Sequence, residues 1–257
     1  MLNRKQKDRP AGAPGHRAYA IGDIHGRLDL VDLLLDKIHA ELDERPARRT
    51  MLVFVGDLID RGPYSAQVVE RLRTYSRPGV RPVFILGNHE EVLLRVYDGD
   101  LSLLPNWLQF GGAQCLASYG VDALELRAAS DARKIEYVRS AIPPEHVEFL
   151  KSFVDTCRFG DYLFVHAGIR PGIRLDEQRQ SDLRWIREPF LQDDTNHGFV
   201  VVHGHTITSE VDEHPNRIGI DTGAFTTGVL TALAIEGRDR WYLDTRATAE
   251  LPIPATH

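Results

Sequence analysis

Residues 83–90 read VFILGNHE, an apolar run of strand character that stops at Gly87 and then presents an amide, an imidazole and a carboxylate. A buried strand that delivers such groups at its C-terminal end is the usual way an open α/β sheet builds a reactive site. Two stretches upstream repeat the form, AYAIGDIHG at 18–26 and MLVFVGDLIDRG at 51–62. Three apolar strands ending in Gly-Asp or Gly-Asn point to one site assembled from three loops.

Outward from these strands the pattern is helical. Leu28, Val31, Leu34, Leu35, Ile38 and Leu42 recur at helix spacing after the first loop, Val68, Val69 and Leu72 after the second, and a helix from Glu91 to about Tyr97 follows the third. Pro63 suits a helix start. The first hundred residues therefore read β-α-β-α-β-α, with parallel strands. Residues 98–144, with Gly111-Gly112 and scattered aromatics, interrupt the series and read as an irregular or helical cap insertion. Strands follow at Val154–Arg158 and Tyr162–Val165, a hairpin, and at Phe199–Val202, with a short helix over Ser181–Leu191 between them. Arg217–Asp221, Gly228–Ile235 and Arg240–Asp244 read as antiparallel strands joined by turns. The expected fold class is α/β, two packed mixed sheets flanked by helices. Residues 1–17 are expected to be a disordered basic tail and 18–257 a single domain.

The chain has 257 residues, a net charge of −6, 42% hydrophobic and 26% charged residues, which is the composition of an ordinary soluble protein. An acidic chain without a basic stripe disfavours nucleic acid as partner, including a nuclease role. No stretch approaches the ~20 apolar residues that span a membrane, and residues 1–17 lack the apolar core of a signal peptide. Cys115 and Cys157 form no metal or disulfide pattern, which fits reduced thiols and a cytoplasmic location.

The polar groups just past strand ends are Asp23, His25, Asp57, Asp60, Arg61, Asn88, His89, His166 and His205. Individually, Asp23, Asp57 and Asn88 read as helix caps and Asp60-Arg61 as a surface ion pair. Jointly they form a mixed N/O donor set suited to manganese, iron or zinc, and larger than one ion needs. Two ions about 3.5–4 Å apart would use it and clamp a phosphoryl group. His203 would point away from His205 on a strand and is given a structural role. Trp107, Phe110 and Gly111-Gly112 read as cap packing, with a substrate groove as the alternative, and Asp221 as a turn residue. His16, His39, His146, His197, His214 and His257 carry no assigned role.

GDIHG at 22–26, GDLIDRG at 56–62, GNHE at 87–90, HAG at 166–168 and GHT at 204–206 together resemble the calcineurin-like metallophosphoesterases, and within them the bacterial phosphoprotein phosphatases. The resemblance runs from about Ala18 to Asp244. It implies an αββα sandwich with Asp23, His25 and Asp57 at one metal and Asp57, Asn88, His166 and His205 at a second. It implies His89, supported by Asp60, as general acid, with Arg61, Asn88 and an arginine from the later half on the phosphate. Arg187 is the candidate for that arginine, with Arg184 one turn away. Glu90 is assigned to opening the next helix.

The activity so implied is a dinuclear-metal phosphomonoesterase, in first place a serine/threonine protein phosphatase using a metal-bridging hydroxide for in-line attack. The alternative is a dinucleoside tetraphosphate hydrolase or small-molecule phosphoesterase, and outside the enzymes an inactive binding scaffold. Asp60 and Glu90 separate this chain from the tetraphosphatase motifs, GDxxARG and GNHD, and favour a phosphoprotein substrate over a phosphorylated small molecule.

Overall fold

The computed structural model describes residues 9–246 and forms two five-stranded sheets. The first has the order β10-β9-β1-β2-β3, built from β1 (Arg17–Ile21), β2 (Thr50–Phe54), β3 (Val80–Phe84), β9 (Thr231–Glu236) and β10 (Asp239–Asp244). β1, β2 and β3 are parallel, and β9 pairs antiparallel with both β1 and β10. The second has the order β4-β5-β6-β8-β7, from β4 (Thr156–Phe159), β5 (Tyr162–Val165), β6 (Val200–His203), β7 (Asp212–Glu213) and β8 (Arg217–Gly219).

The period-2 alternation of the strands assigns each residue to one of three apolar layers. Ala18, Ala20, Val53, Leu233 and Ile235 point inward and meet Phe164, Val202 and Ile218 of the second sheet. Tyr19, Ile21, Leu52, Phe54, Ala232 and Ala234 point outward. They are covered by α1 (Leu28–Glu44), α2 (Ser65–Arg73) and α3 (Asn88–Asp98). On the far side Leu163, Val165 and Val201 pack against Leu183, Ile186 and Phe190. Four layers result, helix, sheet, sheet, helix, with the strand ends of both sheets opening on one edge.

Several boundaries differ from the sequence reading. α3 begins at Asn88 and not at Glu91, so Asn88 and His89 occupy its first turn. α2 starts at Ser65, two residues after Pro63. The expected run of C-terminal antiparallel strands divides between sheets, because β8 lies parallel to β6 while β9 crosses to β1. Residues 1–8 of the expected tail lie outside the described residues. Within the remainder, Ala11 N–H donates to Asp161 Oδ2 at 2.8 Å, Gly12 N–H to the Gly237 carbonyl at 2.7 Å, and Arg17 opens β1.

The insertion folds as single turns at Leu104–Trp107 and Leu108–Gly112, followed by α4 (Ala113–Ser118), α5 (Ala123–Ala128) and α6 (Asp131–Ala141), and α7 (Pro144–Lys151) leads out of it. Its buried Leu104, Trp107, Leu108, Leu116 and Val138 join the apolar cluster that coats the first sheet. A short α8 (Gln180–Trp185) precedes β6, so Arg187 stands in the loop after a helix that ends earlier than expected. Among the described residues no helix is long and apolar enough to cross a membrane.

Phe164 is fully buried at the junction of the two sheets. Phe164→Ala is expected to cost about 3–5 kcal/mol, read as a lower midpoint of chemical denaturation with an unchanged slope.

Candidate metal centre and active site

The site forms where five loops leave five strand ends, and its backbone is unusual. Among the described residues, the non-glycine residues with positive φ are His25, Asp57, Asp60, Arg61 and His205, all of them site candidates from the sequence. Left-handed backbone costs an L-residue roughly 1–2 kcal/mol. It aims side chains back over the ends of the sheets, and surrounding hydrogen bonds must hold it there. Gly204 meets a related demand: a Cβ there would stand 2.0 Å from Asp23 Oδ1, so only glycine lets the aspartate pack against that loop.

Asp57 is the hub. Its Oδ2 lies 3.6 Å from His25 Nε2 and 3.8 Å from His89 Nε2, and its Oδ1 lies 3.4 Å from His166 Nε2. Two buried triads that can each hold a metal share it, His25-Asp57-His89 and Asp57-His166-His205. Asn88 Oδ1 faces the second, 2.9 Å from His166 Nε2 and 3.0 Å from His205 Nδ1. His25 and His166 donate from Nδ1 to the carbonyls of Ile59 and Val55, each at 2.8 Å, which turns their Nε2 lone pairs toward Asp57. Asp23 lies outside both triads. Its Oδ2 accepts the His205 N–H at 3.0 Å, and its Oδ1 is buried without a partner, as is His205 Nε2.

The protonation states suit a cation. Burial lowers His25 and His205 to about 3 and also lowers His166, so these rings are neutral donors. Burial alone would raise Asp57, but His166, His89 and His25 outweigh it and hold the carboxyl below its ordinary range. Burial raises Asp23 well above that range, and neighbouring Asp221 and Asp57 add to it. Burial also moves Asp221 up to about 6, while its Oδ1 accepts the Gly223 N–H at 3.0 Å, the turn role read from the sequence. Neutral imidazoles, crowded carboxylates and two orphaned buried donor atoms fit a pair of divalent cations.

His89 is set differently. Its Nδ1 is 2.6 Å from Asp60 Oδ2, and Arg61 Nη2 is 3.3 Å from its Nε2. Burial opposes its charging, yet Asp57 and Asp60 push it up to about 9. Asp60 Oδ2 also accepts the Trp107 indole N–H at 2.8 Å. The cap thus reaches the proton-bearing pair directly, and Trp107, read from sequence as packing or groove, supports it. Gly111 completes the link. Its carbonyl accepts the Arg61 N–H at 3.2 Å, and with φ of 116° and a Cβ position 2.5 Å from that nitrogen it must be glycine.

Glu90 was assigned to opening a helix, and its side chain does more than that. Fully buried, it accepts the N–H groups of Asp57 at 2.9 Å and Gly87 at 3.1 Å through Oε2, and of Leu58 at 2.7 Å through Oε1. Burial and the Asp57 charge push its carboxyl up to about 8 against the pull of those amides. No local sequence pattern marks a contact across more than thirty residues. Arg187 lines a cavity over the centre together with His25, Asp57, Arg61 and His89, with Nη2 3.4 Å from the His205 carbonyl, whereas Arg184 is paired with Asp155 at 2.7 Å. His203 is buried on the far side against Phe190.

The family described as calcineurin-like phosphoesterase matches residues 16–221 of this chain. An asymmetrical bis(5′-nucleosyl)-tetraphosphatase from Anoxybacillus flavithermus is 28% identical over 83% of this chain and 88% of its own length. A symmetrical bis(5′-nucleosyl)-tetraphosphatase from Dechloromonas aromatica is 27% identical over 91% and 98%. A solved structure of a candidate diadenosine tetraphosphatase superposes with a TM-score of 0.63 at 22% identity, covering 91% of this chain and 98% of that one.

Trp107→Phe keeps an aromatic side chain but removes the N–H to Asp60 and part of the buried indole volume. It is expected to lower turnover roughly tenfold, as one charge-assisted hydrogen bond is worth, and to lower the thermal midpoint by the cavity it leaves. Glu90→Gln sets an NH2 group against backbone donors, and both midpoint and bound metal, read by denaturation and elemental analysis, are expected to fall.

Proposed function

This chain belongs to the calcineurin-like phosphoesterases, and from that premise we propose that it is a metal-dependent hydrolase of dinucleoside tetraphosphates, cleaving a phosphoanhydride. The observation that carries the reading is the cavity over the two triads. It holds about 420 Å³, far more than a phosphoryl group fills, and its lining runs from His25, Asp57 and Asn88 past Arg61 and Arg187 to an apolar wall. The two tetraphosphatases similar along nearly their whole lengths support it.

This reverses the order reached from sequence, where a protein phosphatase stood first. The features that favoured that order were Asp60 and Glu90. Both act on the frame of the site, Asp60 by holding His89 and Glu90 by holding the Asp57 loop. Neither lines the cavity, so neither reports which group leaves the phosphorus.

Asp23, His25, Asp57, Asn88, His166 and His205 would hold two cations, manganese first, with iron or zinc as alternatives. When bound, such a pair supplies Lewis acidity toward water and the phosphoryl oxygens. Arg61 and Arg187 bind and orient the phosphate chain, a task suited to the planar guanidinium. Arg61 is steadied by its stack on Phe225 at 4.6 Å. His89 Nε2–H gives its proton to the departing oxygen, and Asp60 keeps Nδ1 occupied so that Nε2 faces the cavity. A departing phosphate, whose second ionisation lies near about 6, needs that proton far less than an alkoxide does.

His89→Asn is therefore expected to slow hydrolysis of a phosphoserine peptide by about a hundredfold or more and of diadenosine tetraphosphate by much less, in matched initial-rate assays. Wild-type protein is expected to prefer the dinucleotide over the peptide by at least on the order of tenfold in kcat/KM, and metal-stripped protein to lose nearly all turnover. A preference for the peptide would return the reading to a protein phosphatase. Chromatography of the products separates symmetrical cleavage, two diphosphates, from asymmetrical cleavage, a triphosphate and a monophosphate.

A further inference from the structure

The cavity over the centre carries two large aromatic rings in the open. Phe110 is 61% exposed and Trp185 is 44% exposed, while Trp107, which lines the same cavity, is buried. Leaving two such rings in solvent at the mouth of one cavity costs apolar burial and contributes nothing to phosphate binding. Each stands on a braced element. Phe110 sits at the break in the Leu108–Gly112 turn, where Gly111 is locked to Arg61. The Trp185 indole N–H donates to Glu91 Oε2 at 3.0 Å, and Arg184 Nη1 stands 3.5 Å from the same carboxylate oxygen.

We propose that Phe110 and Trp185 form a nucleobase subsite, in which a base stacks on a ring already ordered and Asn106 offers an amide donor and acceptor to its edge. The inference deepens the tetraphosphatase reading and rests on it for the substrate class. Rings fixed before binding lose little side-chain entropy on stacking. Every base has a π-face, so the subsite recognises nucleotides as a class. It sits on two elements far apart in sequence, the cap before α4 and the end of α8. The two arginines line the same cavity and take the charged chain, leaving the rings for the base.

The test uses metal-loaded full-length protein hydrolysing p-nitrophenyl phosphate. Adenosine monophosphate and ribose 5-phosphate are compared as competitors, because they share the ester and differ by the base. The monophosphate is expected to compete roughly tenfold more tightly in the wild type. That ratio is expected to collapse toward unity in Phe110→Ala and Trp185→Ala and to persist in Phe110→Tyr and Trp185→Phe. Equal competition in the wild type, or a ratio that survives both alanine variants, overturns the subsite whether or not diadenosine tetraphosphate is hydrolysed. A ratio that behaves as expected in a protein that leaves diadenosine tetraphosphate intact upholds the subsite and refutes the proposed reaction.

Discussion

Three backbone amides from two strand ends, those of Asp57, Leu58 and Gly87, converge on the buried carboxylate of Glu90, and the centre depends on that convergence. Asp57 can reach both triads only with its backbone in the left-handed region, which the chain does not adopt without compensation. The amide bonds supply it, fixing the loop after β2 against the first turn of α3. The other strained residues are held in the same manner: His25 N–H by the Asp57 carbonyl, Asp60 N–H by Ser65 Oγ, Arg61 N–H by the Gly111 carbonyl, His205 N–H by Asp23. The site is thus a set of loops whose cost is met by polar contacts between them, above sheets whose apolar layers settle where each loop begins.

That division explains what was legible in the sequence. Strand identity and burial face follow a period-2 pattern that Ala18, Ala20, Leu233 and Ile235 display without reference to the rest of the chain. Donor residues are visible because each directly follows such a strand. The partners of those donors are not visible. Glu90 acts on Asp57 and Leu58 through two hydrogen bonds and Trp107 on Asp60 through one, all across long sequence separations, and nothing local distinguishes them from a helix-opening acid and a core aromatic. The start of α3 at Asn88 is hidden for a related reason: polar Asn88 and His89 look like loop residues without the tertiary contacts that make them helical. β8 and β9 share alternation and turn signals, and only the whole fold sends them to separate sheets.

The insertion between α3 and α7 has two faces with opposite duties. Leu104, Trp107 and Leu108 are anchored in the cluster over the first sheet, and from that anchor Trp107 and Gly111 brace Asp60 and Arg61. One residue away, Phe110 is turned to solvent. A segment bound this closely to the proton-bearing pair cannot be exchanged freely among relatives without altering chemistry along with recognition.

The pairing of β1 with β9 joins Arg17 to Glu236, 219 residues apart. During synthesis β2 emerges early and can align with β1, and β3 with β2, but the other edge of β1 stays unpaired until nearly all of the described chain has left the ribosome. Asp23 hangs from that strand and takes its place against Gly204, also late in the chain. A nascent chain truncated before β9 carries all five motifs yet leaves that edge of β1 open, so the strand from which Asp23 hangs is the last of the site's supports to be completed.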